Sequence, residues 1–251
     1  SADWHFDLAG IRVRVSPWFW LVAALLGWSA CQARAGADQR MLILLLVLWV
    51  GAVLVSLLVH ELGHALAFRS CGQDAHVVLY QFGGLAIPVA WNRRTHLRPF
   101  QRLLVSAAGP AAQLALAALV VAALRIGGYQ VAVPIPWGRG GWFFAGRSIA
   151  DFSLLLAALA EFLVMINVLW PLLNLVPVPP LDGGQILREG LTVLGVADAA
   201  RIAALVGVVA GGAVAWWGFA RGDQYLGILF AMLAVSCWQS LSADTPWRRW
   251  N

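Results

Sequence analysis

Three ionisable residues stand close together inside an apolar stretch of the chain. They are His60, Glu61 and His64, in the order His-Glu-Leu-Gly-His, and the apolar run around them extends from Met41 to Phe68. On a helix, residues four positions apart share a face, so both imidazoles can bind one divalent cation. Glu61 then lies beside that cation, where a carboxylate can accept a proton from an attacking water. The spacing predicts a metal-dependent hydrolytic site.

The apolar surroundings of this group strengthen the prediction of a metal. A charged side chain at the centre of a bilayer costs about 2.5–3.5 kcal/mol on insertion scales, unless it pairs or binds something. A bound cation would offset that cost for the two imidazoles and the carboxylate. The type of these ligands favours zinc over copper or nickel. We therefore expect one zinc ion as the cofactor.

A catalytic zinc needs a third protein ligand and one open position. Four acidic residues are candidates for that ligand: Asp151, Glu161, Asp182 and Glu189. Asp182 follows a segment with prolines at positions 171, 177, 179 and 180, which should unwind the fourth span after Trp170 and can carry a carboxylate back into the bundle. We therefore favour Asp182, with helix N-capping as the alternative role of its side chain. Glu161 lies inside the fourth span, and Glu189 is expected to face solvent.

The composition predicts a membrane protein. Of the 251 residues, 61% are hydrophobic and 12% are charged, whereas about 25% are charged in a soluble domain. The fold expected is an all-α polytopic membrane protein of about six transmembrane helices with a small β-hairpin or reentrant strand, each span near the roughly 20 residues that cross a bilayer. The predicted core spans are 41–70, 102–125 and 152–176, and the peripheral spans are 17–32, 202–220 and 225–241. Residues 1–251 are expected to form a single transmembrane metalloprotease domain.

The distribution of charge predicts the orientation in the membrane. The net charge of +5 comes from arginine, because the sequence contains no lysine. A cytoplasmic N-terminus places eleven arginines inside and six outside, which favours cytoplasmic N- and C-termini. We expect a multi-pass protein of a bacterial inner membrane, with the lipid bilayer as a partner and no nucleic acid. The three cysteines are scattered and predict neither a disulfide framework nor a thiolate metal site.

Two short segments predict β-structure. Residues 11–15 alternate between apolar residues and arginine before Ser16 and Pro17, which indicates a strand leading into the first span. Residues 75–89 are rich in β-branched residues and contain Gly83 and Gly84, which indicates a hairpin or a looped strand. An unpaired strand edge at these glycines could bind an extended peptide substrate. The alternative is a reentrant loop that only closes the cavity.

Two motifs together resemble the site-2 protease family of intramembrane zinc metalloproteases. The first is the His60–His64 motif on the second span, and the second is Asn-Leu-Val-Pro-Val-Pro-Pro-Leu-Asp-Gly-Gly at residues 174–184. The similarity extends to three shorter segments, so that it covers most of residues 10–190; these segments are residues 10–15, Phe82-Gly83-Gly84 and Ala108-Gly109-Pro110.

This resemblance implies roles for individual residues. His60, His64 and Asp182 would be the zinc ligands, and Glu61 would be the catalytic base. Asn174 would help to hold the substrate backbone or the developing negative charge, with a polar contact to unwound backbone as the alternative. The family often has asparagine shortly after the Gly-Pro of the third span, where this chain has Gln113. The role of Gln113 is therefore left open.

The resemblance also implies a substrate class. Members of the family cut a transmembrane segment of another membrane protein, commonly an anti-sigma factor or a membrane-tethered regulator, in regulated intramembrane proteolysis. Many members carry a PDZ domain between spans or a CBS domain at the C-terminus, and this sequence is expected to be a minimal form without either.

Two other functions fit parts of the sequence. A membrane protease of the prenyl-processing type shares the histidine motif, but it takes its third ligand from an ExxxD or ExxxN pattern, and Met165 and Val193 occupy the fourth position after Glu161 and Glu189. A divalent-metal transporter, or a metal-dependent scaffold without protease activity, could use the same three ligands. Such a protein has no need of a base at Glu61. An oligomer is also possible, because glycines at 207 and 211 allow close helix contact within or between chains.

Overall fold

The computed structural model describes residues 3–80, 83–89, 97–130, 147–148 and 154–243. These residues form seven helices and six strands, with a predominantly helical fold, as predicted. In chain order the elements are β1 (Trp4–Leu8), β2 (Ile11–Val15), α1 (Pro17–Ala35), α2 (Gln39–Ser70), β3 (Ala75–Tyr80), β4 (Gly83–Pro88), α3 (Pro99–Ile126), β5 (Tyr129–Gln130), β6 (Arg147–Ser148), α4 (Leu154–Asn174), α5 (Asp182–Val193), α6 (Ala199–Ala220) and α7 (Gln224–Ala243).

Five of the described helices are long and apolar enough to cross a membrane, namely α2, α3, α4, α6 and α7. The 19-residue helix α1 lies where the first, shorter span was predicted. The expectation of about six spans is therefore confirmed as an approximate number. The protein is an integral membrane protein.

The longest helix, α2, carries the histidine motif. Its first turn is capped by Asp38, whose carboxylate accepts hydrogen bonds from the backbone N–H groups of Arg40 and Met41 at 2.9 and 3.1 Å. At about 1.5 Å per residue, its 32 residues extend for about 48 Å, well beyond the roughly 30 Å of the hydrocarbon core. One end of α2 therefore projects from the bilayer or the helix tilts within it.

The sheet is larger than the hairpin that the sequence predicted. Its strand order is β1-β2-β3-β4, with antiparallel pairs at both ends and a parallel pair, β2 with β3, in the middle. The predicted strand at residues 11–15 and the predicted hairpin at 75–89 are both confirmed as β2 and β3–β4. Strand β1 was not predicted, although Trp4, Phe6 and Leu8 alternate with polar residues. β4 forms one edge of this sheet.

The described residues pack into two compact units. The first contains the described residues of ranges 1–95 and 111–171, and the second contains those of 96–110 and 172–251. The assignment of the whole chain to one domain stays a prediction.

In the first unit, the sheet packs against α2. Val13 and Val15 of β2 and Val77 of β3 are buried on the same face, together with Ala65 of α2. This alternation of buried and exposed positions in β2 is the one that the apolar–arginine pattern predicted. The sheet is thereby held beside the end of α2 that carries the histidines.

An aromatic side chain of α2 packs against helix α1. Trp49 of α2 donates a hydrogen bond from Nε1 to the carbonyl of Ala23 at 2.9 Å. A β-carbon at Gly27 would lie 2.5 Å from Trp49 Cγ, so only glycine leaves room for the indole. The ring also makes an edge contact with Phe162 of α4, at a centroid distance of 5.1 Å. Trp49 of α2 therefore contacts both α1 and α4.

In the second unit, α6 packs closely against α7. A β-carbon at Gly211 would lie 3.1 Å from Ala234 Cβ, and one at Gly207 would lie 2.8 Å from Cys237 Sγ. The close helix contact predicted for Gly207 and Gly211 is therefore made within the chain.

The end of α4 and the start of α5 position Asp182. Helix α4 continues to Asn174, so the unwinding begins four residues later than predicted. The physical reason is that Pro171 stands in the last turn, where its missing N–H removes only one helical hydrogen bond. The chain then turns between Val178 and Leu181, where the backbone N–H of Leu181 donates a hydrogen bond to the carbonyl of Val178 at 2.9 Å, before α5 begins at Asp182.

Candidate metal centre

The two histidines of the motif point their distal nitrogens at each other. His60 Nε2 and His64 Nε2 are 3.1 Å apart, and both side chains are buried, at 3% and 8% exposure. Two nitrogens bound to one tetrahedral zinc at about 2.0–2.1 Å lie roughly 3.3 Å apart. The spacing of this pair, set by one helical turn of α2, therefore fits the coordination of a single zinc ion.

The acidic ligand predicted from the sequence belongs to the same group. One candidate ligand atom from each of His60, His64 and Asp182 lies within 4.8 Å of the others. Among the described residues, this is the one group of three or more histidine, cysteine or acidic side chains with metal-site spacing. Two imidazoles and a carboxylate form a donor set that suits a catalytic zinc. The residues of this chain therefore fit the cofactor that the sequence predicted.

Two glycines after Asp182 let the chain fold back on itself. A β-carbon at Gly183 would lie 2.5 Å from the carbonyl oxygen of Val176, and one at Gly184 would lie 2.5 Å from the carbonyl carbon of Val178. Any larger residue would push α5 away from the preceding loop. The N-cap of α5 is Leu181, so the alternative that Asp182 acts as the N-cap is wrong.

Glu61 lies directly against strand β4. Its side chain is 5% exposed, and a β-carbon at Gly84 would lie 2.6 Å from both Glu61 Cδ and Oε1. The neighbouring Gly83 has a φ of +132°, in the region that favours glycine, and a β-carbon added there would lie 3.5 Å from the Trp170 side chain. Both glycines therefore have a structural reason: one adopts a backbone conformation that other residues avoid, and one leaves space for Glu61.

The proximal nitrogen of His60 has a partner that the sequence left without a role. Gln113 of α3 is fully buried, and its Oε1 lies 3.0 Å from His60 Nδ1. Metal-binding histidines commonly donate from their second nitrogen to an oxygen acceptor, which fixes the orientation of the ring. The sequence feature that could have indicated this contact is a glutamine within an apolar stretch of α3.

A second buried polar pair lies on the same face of α2. Ser56, one turn before His60, accepts a hydrogen bond on Oγ from Asn167 Nδ2 at 2.8 Å, and both side chains are fully buried. This pair was not predicted. The spacing could have indicated it, because Ser56, His60 and His64 recur every four residues and Asn167 precedes Asn174 by seven. A polar stripe of this kind on apolar helices marks an interior face.

Of the other acidic candidates, Glu161 has a partner of its own. Its carboxylate forms an ion pair with Arg34 of α1, and the Arg34 guanidinium also lies over the Phe162 ring at 5.1 Å from its centre. Asp151 falls outside the described residues. Asn174 is the last residue of α4 and is partly buried, and its role in substrate binding stays a prediction.

The expectation that Glu189 faces solvent is wrong. Its side chain is only 2% exposed and accepts hydrogen bonds from Arg102 at 2.8 Å and from Arg188 at 2.7 Å. Seven residues are about two helical turns, so Glu189 shares the inner face of α5 with Asp182. Burial raises the pKa of Glu189, but the hydrogen bonds and positive charges of the two arginines outweigh burial and lower that pKa below its ordinary value.

Known proteins are similar to this chain in sequence or in fold. The chain matches Peptidase family M50 over residues 48–136 and 143–214. It is 32% identical over 190 residues to sll0528 of Synechocystis sp., and 33% identical over 174 residues to Rip3 of Mycobacterium tuberculosis. Both relatives are named as candidate zinc metalloproteases. These matches cover 73% and 64% of this chain, which spans 42% and 38% of the length of the two relatives.

A solved structure has the same fold. The site-2 protease from Methanocaldococcus jannaschii superposes with a TM-score of 0.54 over 95% of both chains, at 19% sequence identity. The family match includes the histidine motif, and residues 182–184 fall within its second segment. The chain therefore belongs to Peptidase family M50, the site-2 protease family.

Proposed function

We propose that this protein is an intramembrane zinc metalloprotease that hydrolyses a peptide bond within or near a transmembrane segment of another membrane protein. The observation that carries the proposal is the geometry of His60 and His64, whose Nε2 atoms face each other at 3.1 Å on a membrane-spanning helix. Asp182 belongs to the same group, and Glu61 lies next to His60 in the chain. A buried set of this composition is costly in a membrane unless it serves a site.

Each of these residues has a distinct role in the proposal. His60, His64 and Asp182 hold one zinc ion. When bound, zinc supplies Lewis-acid polarisation and lowers the pKa of water toward about 7. Glu61 takes the proton of the attacking water as its oxygen bonds to the peptide carbonyl carbon. Glu61 then gives that proton to the amine nitrogen as the carbon–nitrogen bond breaks.

The depth of the motif in the membrane supports access of water. His60 precedes Phe68, the last apolar residue of its run, by eight residues, which is about 12 Å along the helix. The other end of the run, at Met41, is about 29 Å away. Arg69 follows directly, and in the predicted orientation it marks the cytoplasmic side. Water would therefore enter the site from the cytoplasm.

The substrate must be extended before it can be cut, because the carbonyl groups of a helix are bonded within the helix. We infer that the outer edge of β4, which pairs with no further strand among the described residues, binds the unwound segment as an added strand. This edge is close to the site, since Gly84 lies against Glu61. Gly83 and Gly84 would contact the substrate backbone, and Asn174 would donate to a substrate carbonyl through its amide.

The substrates we propose are single-span signalling proteins, such as an anti-sigma factor or a membrane-tethered regulator. The protein would act on them in a bacterial inner membrane, with both of its termini in the cytoplasm. This part of the proposal rests on the family and on the distribution of arginine.

The experiment uses purified protein in proteoliposomes with a single-span test substrate. Glu61→Gln should retain one zinc per chain and lose cleavage by about 10²–10⁴-fold, because the general base is removed and the metal ligands stay. Mass spectrometry of the products should place the cut within or next to the substrate span. Zinc content is measured on the same samples.

A matched control is Glu161→Gln, which changes the other glutamate within a described span. Because Glu161 is paired with Arg34, this variant should cleave within about twofold of wild type. The proposal would be overturned in favour of a metal transporter by two results together. The wild type would show no cleavage, and it would transport zinc into vesicles at a rate that Glu61→Gln leaves unchanged.

A further inference from the structure

Gln113 is a fully buried amide on α3, and it contacts the ring of a histidine in the metal centre. Its Oε1 lies 3.0 Å from Nδ1 of His60, and its side chain has 0% exposure. An amide at this depth in an apolar helix is costly unless its hydrogen bond serves a purpose.

The two nitrogens of the His60 ring face different partners. Nε2 faces Nε2 of His64 at 3.1 Å, which is the side on which a shared cation would lie. Nδ1 faces the Oε1 of Gln113, which can only accept a hydrogen bond. With the amide oxygen facing Nδ1, a hydrogen bond forms only when the neutral ring carries its hydrogen on Nδ1, and that tautomer leaves the lone pair of Nε2 available to a metal.

We propose that Gln113 is a positioning residue that holds His60 in its metal-binding tautomer and fixes the rotation of its ring. The inference deepens the function proposed above and rests on it for the identity of the metal. Gln113 acts through His60 and does not touch the reacting atoms, because it contacts the ring nitrogen on the far side from His64.

The second polar atom of Gln113 supports this role over a role in packing. Its Nε2 is buried and has no hydrogen-bond partner among the residues that the structure describes. An unsatisfied buried donor is unfavourable, so an apolar residue of similar size would serve packing better. The contact of Oε1 with His60 gives a reason for an amide at this position.

The test compares two substitutions of similar size. Gln113→Leu removes the acceptor, whereas Gln113→Glu keeps an oxygen acceptor in either protonation state. We expect Gln113→Leu to weaken zinc affinity by about 10–100-fold, the usual effect of losing a hydrogen bond to a metal-binding histidine. Gln113→Glu should bind zinc at least as tightly as wild type. Affinity is measured by competition with a chromophoric chelator on the purified full chain.

A second readout does not depend on zinc. In the metal-free protein labelled with ¹⁵N-histidine, His60 should show hydrogen on Nδ1 in the wild type and in Gln113→Glu. In Gln113→Leu the two tautomers should be mixed. Gln113→Met provides the same test if the leucine variant does not fold, since methionine keeps the length of the side chain without a strong acceptor.

Several results would overturn the inference. Unchanged zinc affinity and an unchanged tautomer in Gln113→Leu or Gln113→Met would do so, and so would equal losses in the leucine and glutamate variants. The wild type could also bind no zinc and still show the Nδ1 tautomer of His60, with that tautomer lost in Gln113→Leu. The proposed function would then fail, and the positioning role of Gln113 would stand. The two proposals are thus tested separately.

Discussion

Substituting Gly84 by alanine should displace the carboxylate of Glu61. The added β-carbon would lie 2.6 Å from Glu61 Cδ and from Oε1, whereas ordinary contact begins at 3.4 Å. The carboxylate must therefore move by the difference, about 0.8 Å, or β4 must shift by a similar amount. A misplacement of about 1 Å at a reacting group can cost about 100-fold in rate. We expect Gly84→Ala to lower kcat by about 10–100-fold.

The assay measures cleavage of a single-span substrate and zinc content on the same preparation. Zinc content should stay at the wild-type value, because the atoms nearest to the added carbon all belong to Glu61. Gly51→Ala is the matched control, since Gly51 lies on α2 and a β-carbon there would meet nothing within 4 Å among the described residues beyond its own helical turns. That variant should cleave as wild type and should be no less stable, because alanine is the better helix former.

If folded Gly84→Ala protein cleaved the substrate at the wild-type rate, this reasoning would be refuted, because the position of Glu61 would then not limit the rate. Loss of zinc in the same variant would also contradict it, because the effect would then arise at the ligands.

Three further predictions concern stability and are measured by unfolding in detergent. Gly27→Ala should destabilise the protein by about 1–3 kcal/mol, because its β-carbon would lie 2.5 Å from Trp49 Cγ. A double-mutant cycle of Ser56→Ala and Asn167→Leu should give a coupling of about 0.6 kcal/mol, as expected for a hydrogen bond between membrane helices. Glu189→Gln should destabilise the protein at pH 7, because a carboxylate with a lowered pKa stabilises the folded state at pH values above its ordinary pKa. The difference in unfolding free energy between wild type and variant should shrink as the pH falls below 4.5, since the carboxylate loses this contribution when it is protonated.

Each of these predictions has a control or an opposing outcome. Gly212 lies on the membrane helix α6, and no described residue beyond its own helical turns would contact a β-carbon there. Gly212→Ala should therefore leave the stability unchanged, whereas Gly27→Ala lowers it. Additive effects at Ser56 and Asn167 would show that their hydrogen bond contributes nothing. A stability difference for Glu189→Gln that is constant from pH 7 to pH 4 would contradict the lowered pKa of Glu189.

The parts of the fold that the sequence predicted depend on local patterns. The spans follow from runs of apolar residues, and the strand at residues 11–15 follows from alternation with arginine. The pairing of β2 with β3 in parallel could not be predicted, because it joins segments separated by α1 and α2. Strand β1 was missed for a related reason, since five residues at one end give little pattern without knowledge of the partner strand.

Within the site, the residues of the histidine motif could be predicted from their spacing. The side chains that contact them could not. The spacing of His60 and His64 predicts a shared ligand site because a helix fixes their separation. The contact between Gln113 and His60 depends on how α3 lies against α2, which no local pattern encodes. Glu189 was misjudged because one of its two arginine partners, Arg102 on α3, is 87 positions away in sequence, and the adjacent Arg188 alone does not indicate that a carboxylate is buried.

The binding of one zinc ion by His60, His64 and Asp182 is tested by the anomalous X-ray signal at the zinc edge from crystals of the zinc-loaded protein. We expect one peak per chain, about 2.0–2.1 Å from His60 Nε2 and from His64 Nε2 and about 2.0–2.2 Å from an oxygen of Asp182. A peak at another place, or a zinc ion bound by the histidines without Asp182, would contradict it.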